Sequence, residues 1–224
     1  NRLTIIDLSE HGHQPMCNED ETVWITYNGE IYNYQDLRRE LEAEGHRFRS
    51  TTDTEVIIHA YESWGTRCVD RFTGMFAFGI WDSRQRRLVL ARDRYGVKPL
   101  YYYHQGGRLI FASEIKTMLA AGIPRRFLRD HVHEFLMYNW LIGDSTFFEG
   151  VKSLLPGHTL TLTLEENNED VQIESYYSPF DQINQETYEQ LNRSSVGQVC
   201  DEIDRLLTES VRLRLVSDVP VGSL

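Results

Sequence analysis

Short apolar runs, rich in Ile, Val, Phe, Tyr and Trp, recur through the first part of the chain and are bounded by Gly, Asn or Asp. Runs of this length and composition predict β-strands. Gln105-Gly106-Gly107 separates two of them and predicts a hairpin turn. The predicted strands cover residues 3–8, 23–27, 76–81, 87–92, 100–104, 109–112 and 158–164.

Helical periodicity interrupts these runs. Between residues 34 and 44, Leu37 and Leu41 lie four apart on one face, and Gly45 follows as a stop. Residues 53–64 also place their apolar positions on one face, and either Thr52 or Asp53 can cap the first turn. Further helical patterns cover residues 113–121, residues 130–138 and the stripe Val199, Ile203, Leu206, Leu207 and Val211.

The chain divides at a polar stretch rich in Asn, Gln, Ser and Glu. We predict a mixed α+β domain over residues 1–177, a linker over 178–195 and the opening of a second domain over 196–224. A strand is predicted to begin in residues 216–221, and both ends of the chain look cut.

Composition narrows the class of protein. With 224 residues, 41% of them hydrophobic, the chain can bury a core. The net charge of −11 argues against a nucleic-acid partner, because binding to phosphate backbones depends on cationic side chains. Three cysteines without CxxC spacing favour a reducing compartment over disulfides. We expect a cytoplasmic protein without membrane contact, and no metal site, because the histidines lack ligand spacing.

Asn28-Gly29 is the first candidate for chemistry. A backbone N–H beside an Asn amide makes two donors that can stabilise an oxyanion, and we place this pair at a strand end. A plain hairpin turn is the alternative.

Two charged residues are candidates for binding. Asp53 can cap a helix or hold a ligand's ammonium group, and Arg2 can grip a carboxylate or lie at a solvated strand end. Residues 92–100 alternate charges around Gly96 and Pro99, which predicts a rigid, salt-bridged turn.

Seven segments of the chain together carry a family resemblance. They are Arg2-Leu-Thr-Ile-Ile-Asp7, Gly12-His-Gln-Pro15, Asn28-Gly-Glu-Ile-Tyr-Asn33, Thr52-Asp-Thr-Glu-Val56, Gly74-Met-Phe-Ala-Phe78, Arg92-Asp-Arg-Tyr-Gly-Val-Lys-Pro-Leu100 and Phe111-Ala-Ser-Glu-Ile-Lys116. They occur in the order seen in asparagine synthetases, so residues 2 to about 177 resemble the class II glutamine amidotransferases. The resemblance implies an N-terminal-nucleophile fold, a four-layer sandwich of two antiparallel sheets flanked by helices. The first helix of an α/β ATP-pyrophosphatase-type synthetase domain would follow.

The resemblance also implies a role for individual residues. Asn28 and Gly29 match the oxyanion donors, the first through its side chain and the second through its backbone. Glu30 and Asp53 match the acidic residues that receive the α-ammonium group of glutamine. Arg2 matches the arginine that binds the α-carboxylate of glutamine, and Leu3, Ile5 and Ile6 match residues that line the pocket.

The implied reaction begins with an N-terminal Cys that attacks the side-chain amide of glutamine, and water later releases glutamate from a thioester. Ammonia then reaches a synthetase domain where ATP, with Mg²⁺, activates aspartate. Leu224 resembles a residue whose backbone touches adenine, and a homodimer is expected by analogy.

The chain departs from this pattern at the nucleophile. Arg2 is preceded by no Cys, and Cys17 and Cys68 fall outside the nucleophile's motif, so we expect these 224 residues alone to hydrolyse no glutamine. Three alternatives stay open: a non-catalytic scaffold of a related synthetase, as in β-lactam-forming relatives, a regulatory glutamine-binding module, or an amidotransferase for another carboxylate such as a surface polysaccharide precursor.

Overall fold

The computed structural model describes residues 12–166 and 168–215. Its strands are β1 Met16–Cys17, β2 Val23–Ile31, β3 Gly74–Asp82, β4 Arg87–Arg92, β5 Tyr101–Gln105, β6 Arg108–Ala112, β7 Val151–Ser153, β8 His158–Leu164 and β9 Glu169–Ser175. Its α-helices are α1 Tyr34–Ala43, α2 Asp53–Trp64, α3 Ile115–Ala120, α4 His131–Tyr138, α5 Gln185–Arg193 and α6 Val196–Arg214, and 3₁₀ turns cover Gly65–Arg71 and Pro179–Gln182.

The strands form two antiparallel sheets. Within the described residues, the larger sheet has six strands in the order β1-β2-β3-β4-β8-β9, and the smaller has three in the order β6-β5-β7. In the larger sheet β2 and β3 pair along their whole length, with Val23 opposite Asp82 and Ile31 opposite Gly74. This long pairing keeps β2 extended through Asn28 and Gly29.

Three apolar clusters separate four layers. The first packs α1 and α2 on the larger sheet through residues such as Leu41, Ile57 and Phe78. The second, which includes Leu90 and Leu160, lies between the sheets, and the third packs α3 on the smaller sheet. Alternate residues of a strand point to opposite faces, so β3 and β4 serve both clusters that touch the larger sheet.

Most strongly patterned elements lie where the sequence predicts them. Helix α2 and strands β4 and β8 have the predicted bounds. The hairpin between β5 and β6 is also confirmed, because Gln105 pairs with Arg108 and both intervening glycines have φ between 62° and 68°.

One expectation needs correction. Strand β2 continues through Asn28 and Gly29 to Ile31, so these residues neither end the strand nor form a hairpin turn. The stretch 178–195, which we predict to be a linker, contains a 3₁₀ turn and α5. The strands predicted for residues 3–8 and 216–221 lie outside the described residues. In the part of the chain that is described, no helix has the length and apolarity that a membrane crossing requires.

Candidate active site

A cavity of about 410 Å³ opens where β2 faces the smaller sheet. Asn28, Gly29, Glu30 and Asp53 all line it, so the structure brings together every predicted site residue that it describes. The other predicted site residues, Arg2, Leu3, Ile5, Ile6 and Leu224, lie outside the described residues.

The backbone amide of Gly29 faces the edge of β2 that is not paired with β3. The amides of Tyr27 and Ile31 bond to side chains rather than to β3, at 2.7 Å to Gln14 Oε1 and 3.0 Å to Asp53 Oδ2. Amides two apart in a strand point the same way. The N–H of Gly29 therefore points to the same edge, beside the Asn28 side chain.

Only glycine fits at position 29. A Cβ there would lie 2.2 Å from the carbonyl oxygen of Met75 and 2.7 Å from Cα of Phe76, both in the backbone of β3. The close approach of the strands, rather than a turn, therefore explains this glycine.

Asp53 connects α2 with β2. Thr52 is the N-cap of α2, with its side chain accepting from the amide of Glu55, so the cap expected at Thr52 or Asp53 falls to Thr52. The buried Asp53 carboxylate instead accepts 2.7 Å and 3.0 Å hydrogen bonds from Tyr27 Oη and the Ile31 amide. Burial and the Asp53 charge raise the pKa of Tyr27, so its phenol stays protonated and donates.

Glu30 is a buried carboxyl group. It is 5% exposed, and its Oε1 has no hydrogen-bond partner among the described residues. Burial, helped by the negative charge of Asp53, raises the pKa of Glu30 to about 7, while Lys98 and Arg214 act in the opposite direction. The cavity therefore holds two neighbouring carboxyl groups that a bound cation would stabilise in the ionised form.

Lys98 is a cavity residue that sequence reasoning missed. Its amide donates to Asp93 Oδ2 at 2.9 Å, and its carbonyl accepts from Arg92 Nε at 2.8 Å. The Asp93 carboxylate also accepts from the amides of Phe76, Tyr95 and Val97. Side-chain hydrogen bonds to the backbone therefore hold the turn over residues 92–100, in place of the predicted salt bridges.

Gln14, Ser113 and Glu114 are further cavity residues without an earlier assignment. The Asn28 amide donates to Ser113 Oγ at 3.3 Å, a long contact that a better acceptor can replace. Ser113 follows β6 and lies eighty-five positions along the chain from Asn28. Only the packing of the two sheets against each other reveals this contact.

Cys17 and Cys68 lie outside the cavity. Burial raises the pKa of the Cys68 thiol to about 12, so this sulfur is a poor nucleophile.

Two antiparallel sheets between helices, with donors and carboxylates on one cavity, define an α+β fold of the N-terminal-nucleophile amidotransferase type. The chain belongs to the family of glutamine amidotransferase domains, which it matches over residues 1–177. Solved structures agree on the fold: glutamine phosphoribosylpyrophosphate amidotransferase from B. subtilis has a TM-score of 0.52, with 19% identity over 73% of this chain and 32% of that one.

Relatives in the same family are more similar in sequence. The chain is 38% identical to asparagine synthetase [glutamine-hydrolyzing] 3 of Bacillus subtilis, over 98% of this chain and 34% of that protein. It is 36% identical to amidase chyE of Penicillium rubens, over 99% of this chain and 31% of that protein. The chain thus spans about a third of the length of these relatives.

Proposed function

We propose that the cavity binds free glutamine as the glutaminase site of an ATP-dependent asparagine synthetase. The observation that carries this proposal is the single cavity shared by the donors Asn28 and Gly29 and the carboxyl groups Glu30 and Asp53. An amino acid needs an anionic partner for its ammonium group, and a developing oxyanion needs two donors.

Each residue has a defined part in this proposal. Asn28 Nδ2 and the Gly29 N–H bond to the amide oxygen of glutamine and stabilise the tetrahedral oxyanion. The ammonium group of glutamine lies between Glu30 and Asp53, and Arg2 takes the α-carboxylate. Leu3, Ile5 and Ile6 line the same pocket. The thiolate of an N-terminal cysteine is the family's nucleophile, and we place no such role on Cys17 or Cys68.

The remaining steps belong to the longer relatives. We propose that residues 178–195 connect the glutaminase domain to a synthetase domain that begins at about residue 196, and that Leu224 touches ATP. ATP and Mg²⁺ would activate aspartate, and ammonia from glutamine would amidate it, in a cytoplasmic homodimer. The resemblance to several asparagine synthetases supports aspartate as the acceptor.

The scaffold alternative has weaker support. A domain that binds no glutamine has no need for a buried carboxyl group beside Asp53, because burying a charge without a partner is costly. The second candidate function is amidation of a carboxylate other than that of aspartate. The 36% identity to an amidase is the reason to retain it.

Calorimetric titration of the chain with glutamine tests the proposed site. We expect binding that the Asp53→Asn variant weakens at least about tenfold, since it removes one partner of an ammonium group. The control, Asp181→Asn, changes an exposed carboxylate in the 3₁₀ turn Pro179–Gln182 and should bind as the parent does. Equal affinity of the Asp53→Asn variant, or no heat from the parent chain, would contradict the proposal.

A further inference from the structure

A second cluster of polar side chains lies at the far end of α2 from the cavity. His59 and Glu62 belong to α2, and His46 follows α1. Nδ1 of His46 is 3.1 Å from Nδ1 of His59, which is 2.8 Å from Oε2 of Glu62. The third side, from His46 Nδ1 to Glu62 Oε2, is 3.6 Å. Two imidazole nitrogens and a carboxylate oxygen therefore form a compact triangle.

Hydrogen bonds alone do not explain this triangle. The Nδ1 of a neutral imidazole either donates one proton or accepts through one lone pair. If His59 Nδ1 donates to Glu62, it cannot accept from His46. If it accepts from His46, its lone pair faces a carboxylate oxygen at 2.8 Å. Either assignment leaves one short contact without a well-aligned hydrogen bond.

A metal ion satisfies all three atoms at once. Ligands at about 2.1 Å from a tetrahedral Zn²⁺ lie about 3.4 Å from one another. The observed separations of 3.1, 2.8 and 3.6 Å scatter around that value. The His46 and Glu62 side chains are 21% and 24% exposed, so water can reach a fourth position.

We propose that His46, His59 and Glu62 bind a divalent transition-metal ion, with Zn²⁺ as the preferred ion. Imidazole nitrogen combined with carboxylate oxygen is a donor set that suits Zn²⁺. The spacing of the histidines in the sequence does not predict this site, because His46 and His59 come from different elements.

The surroundings of the triangle match those of metal ligands, whose other polar atoms are typically held by neighbouring groups. Ser63 Oγ lies 2.8 Å from His46 Nε2 and donates to Glu44. Asn18 Nδ2 donates to Glu62 Oε1 at 2.7 Å.

The site is also acidic. The Nε2 atom of His59 is buried without a hydrogen bond to the described residues, and it faces the carboxylates of Glu55 and Glu19 at 3.8 and 3.9 Å. Carboxylates around the ligands attract a divalent cation. They also favour an extra proton on His59, which is the competing occupant, and ligand protons are released when metal binds. The binding test is therefore best made at about pH 8, where protons compete less.

A metal here would be structural. It would hold the segment that follows α1 against α2. Its ligand Glu62 lies nine residues, or about 14 Å along the helix, from Asp53. The same connection is already tied to α2 by the Glu55 carboxylate, which accepts from the amides of Arg49 and Ser50 at 2.7 Å each. Metal loading should therefore raise the melting temperature without direct contact to the cavity.

Titration with Co²⁺ and competition with Zn²⁺ test the site. We expect one equivalent of Co²⁺ to give the visible bands of a four-coordinate ion, and Zn²⁺ to displace it and raise the melting temperature. The His46→Gln variant should bind about 100-fold more weakly or worse. The matched control is His131→Gln. His131 Nδ1 contacts Glu134 Oε2 at 3.4 Å, and these two residues have the same three-residue helical spacing as His59 and Glu62.

The outcomes are distinct. Loss of binding in His46→Gln and in Glu62→Gln, with circular dichroism unchanged and His131→Gln unaffected, supports the proposal. Absence of the cobalt bands in the parent chain, or equal binding by the parent and His46→Gln, overturns it and leaves the cluster with a proton alone.

Discussion

Replacing Glu30 with Gln probes the electrostatics of the cavity most sharply. The side chain keeps its size but can no longer ionise. In the folded chain burial raises the pKa of Glu30 to about 7, whereas an exposed glutamate titrates near 4.5. Between these values the folded state holds a proton that the unfolded state has lost, so stability falls as pH rises.

The magnitude follows from the two pKa values. Each pKa unit corresponds to about 1.4 kcal/mol, and integrating the linkage from pH 5 to pH 8 gives a loss of about 2.5 kcal/mol for the parent chain. The Glu30→Gln variant lacks this loss. Its free energy of unfolding, relative to the parent, should therefore increase by about 2.5 kcal/mol between pH 5 and pH 8.

Urea denaturation at pH 5, 6, 7 and 8, followed by tryptophan fluorescence, measures this difference. The control is Glu165→Gln, which makes the same change at an exposed glutamate that does not line the cavity. A difference between Glu30→Gln and the parent that stays constant from pH 5 to pH 8 would refute the buried-carboxyl reasoning.

Three further substitutions test the frame of the site. Gly29→Ala should lower the free energy of unfolding by about 3 kcal/mol, because the added Cβ would lie 2.2 Å from the β3 backbone. Gly197→Ala, at an open helical position, should be tolerated. Chemical denaturation of the two variants compares these effects. Burial opposes ionisation of Glu55, but His59 at 3.8 Å and hydrogen bonds from the Ser50 side chain and two backbone amides outweigh it and lower the pKa of Glu55 to about 2. This group therefore adds stability above about pH 4.5 that disappears towards pH 2, and Glu55→Gln should flatten the acid limb of a pH titration followed by circular dichroism. Asp93→Asn should cost about 2 kcal/mol in urea melts, since a neutral amide cannot accept from four amides as a carboxylate does; an unchanged midpoint would contradict the role of Asp93.

The sequence predicts best where pattern and packing agree. The bounds of α2 were predictable because its apolar positions repeat with the helical period and Thr52 caps it. Strand β9 was missed because most of its residues are exposed at the edge of the sheet, so it lacks an apolar run. Helix α5 was missed for the same reason, since it buries none of its residues.

The site was only partly predictable. Asn-Gly favours a turn locally, but nine residues of pairing with β3 keep Asn28 and Gly29 extended. Lys98 and Ser113 reach the cavity through contacts that no local pattern encodes. The family resemblance implies roles for Asn28 and Asp53, and the structure places both residues on one cavity.

A crystal structure of the chain with glutamine tests the central claim most directly. We expect the side-chain amide oxygen of glutamine within hydrogen-bonding distance of Asn28 Nδ2 and the Gly29 amide, about 2.7–3.2 Å, with its ammonium group against Asp53 and Glu30. Glutamine bound away from this cavity, or bound there with its ammonium group at Asn28, would contradict the proposed site.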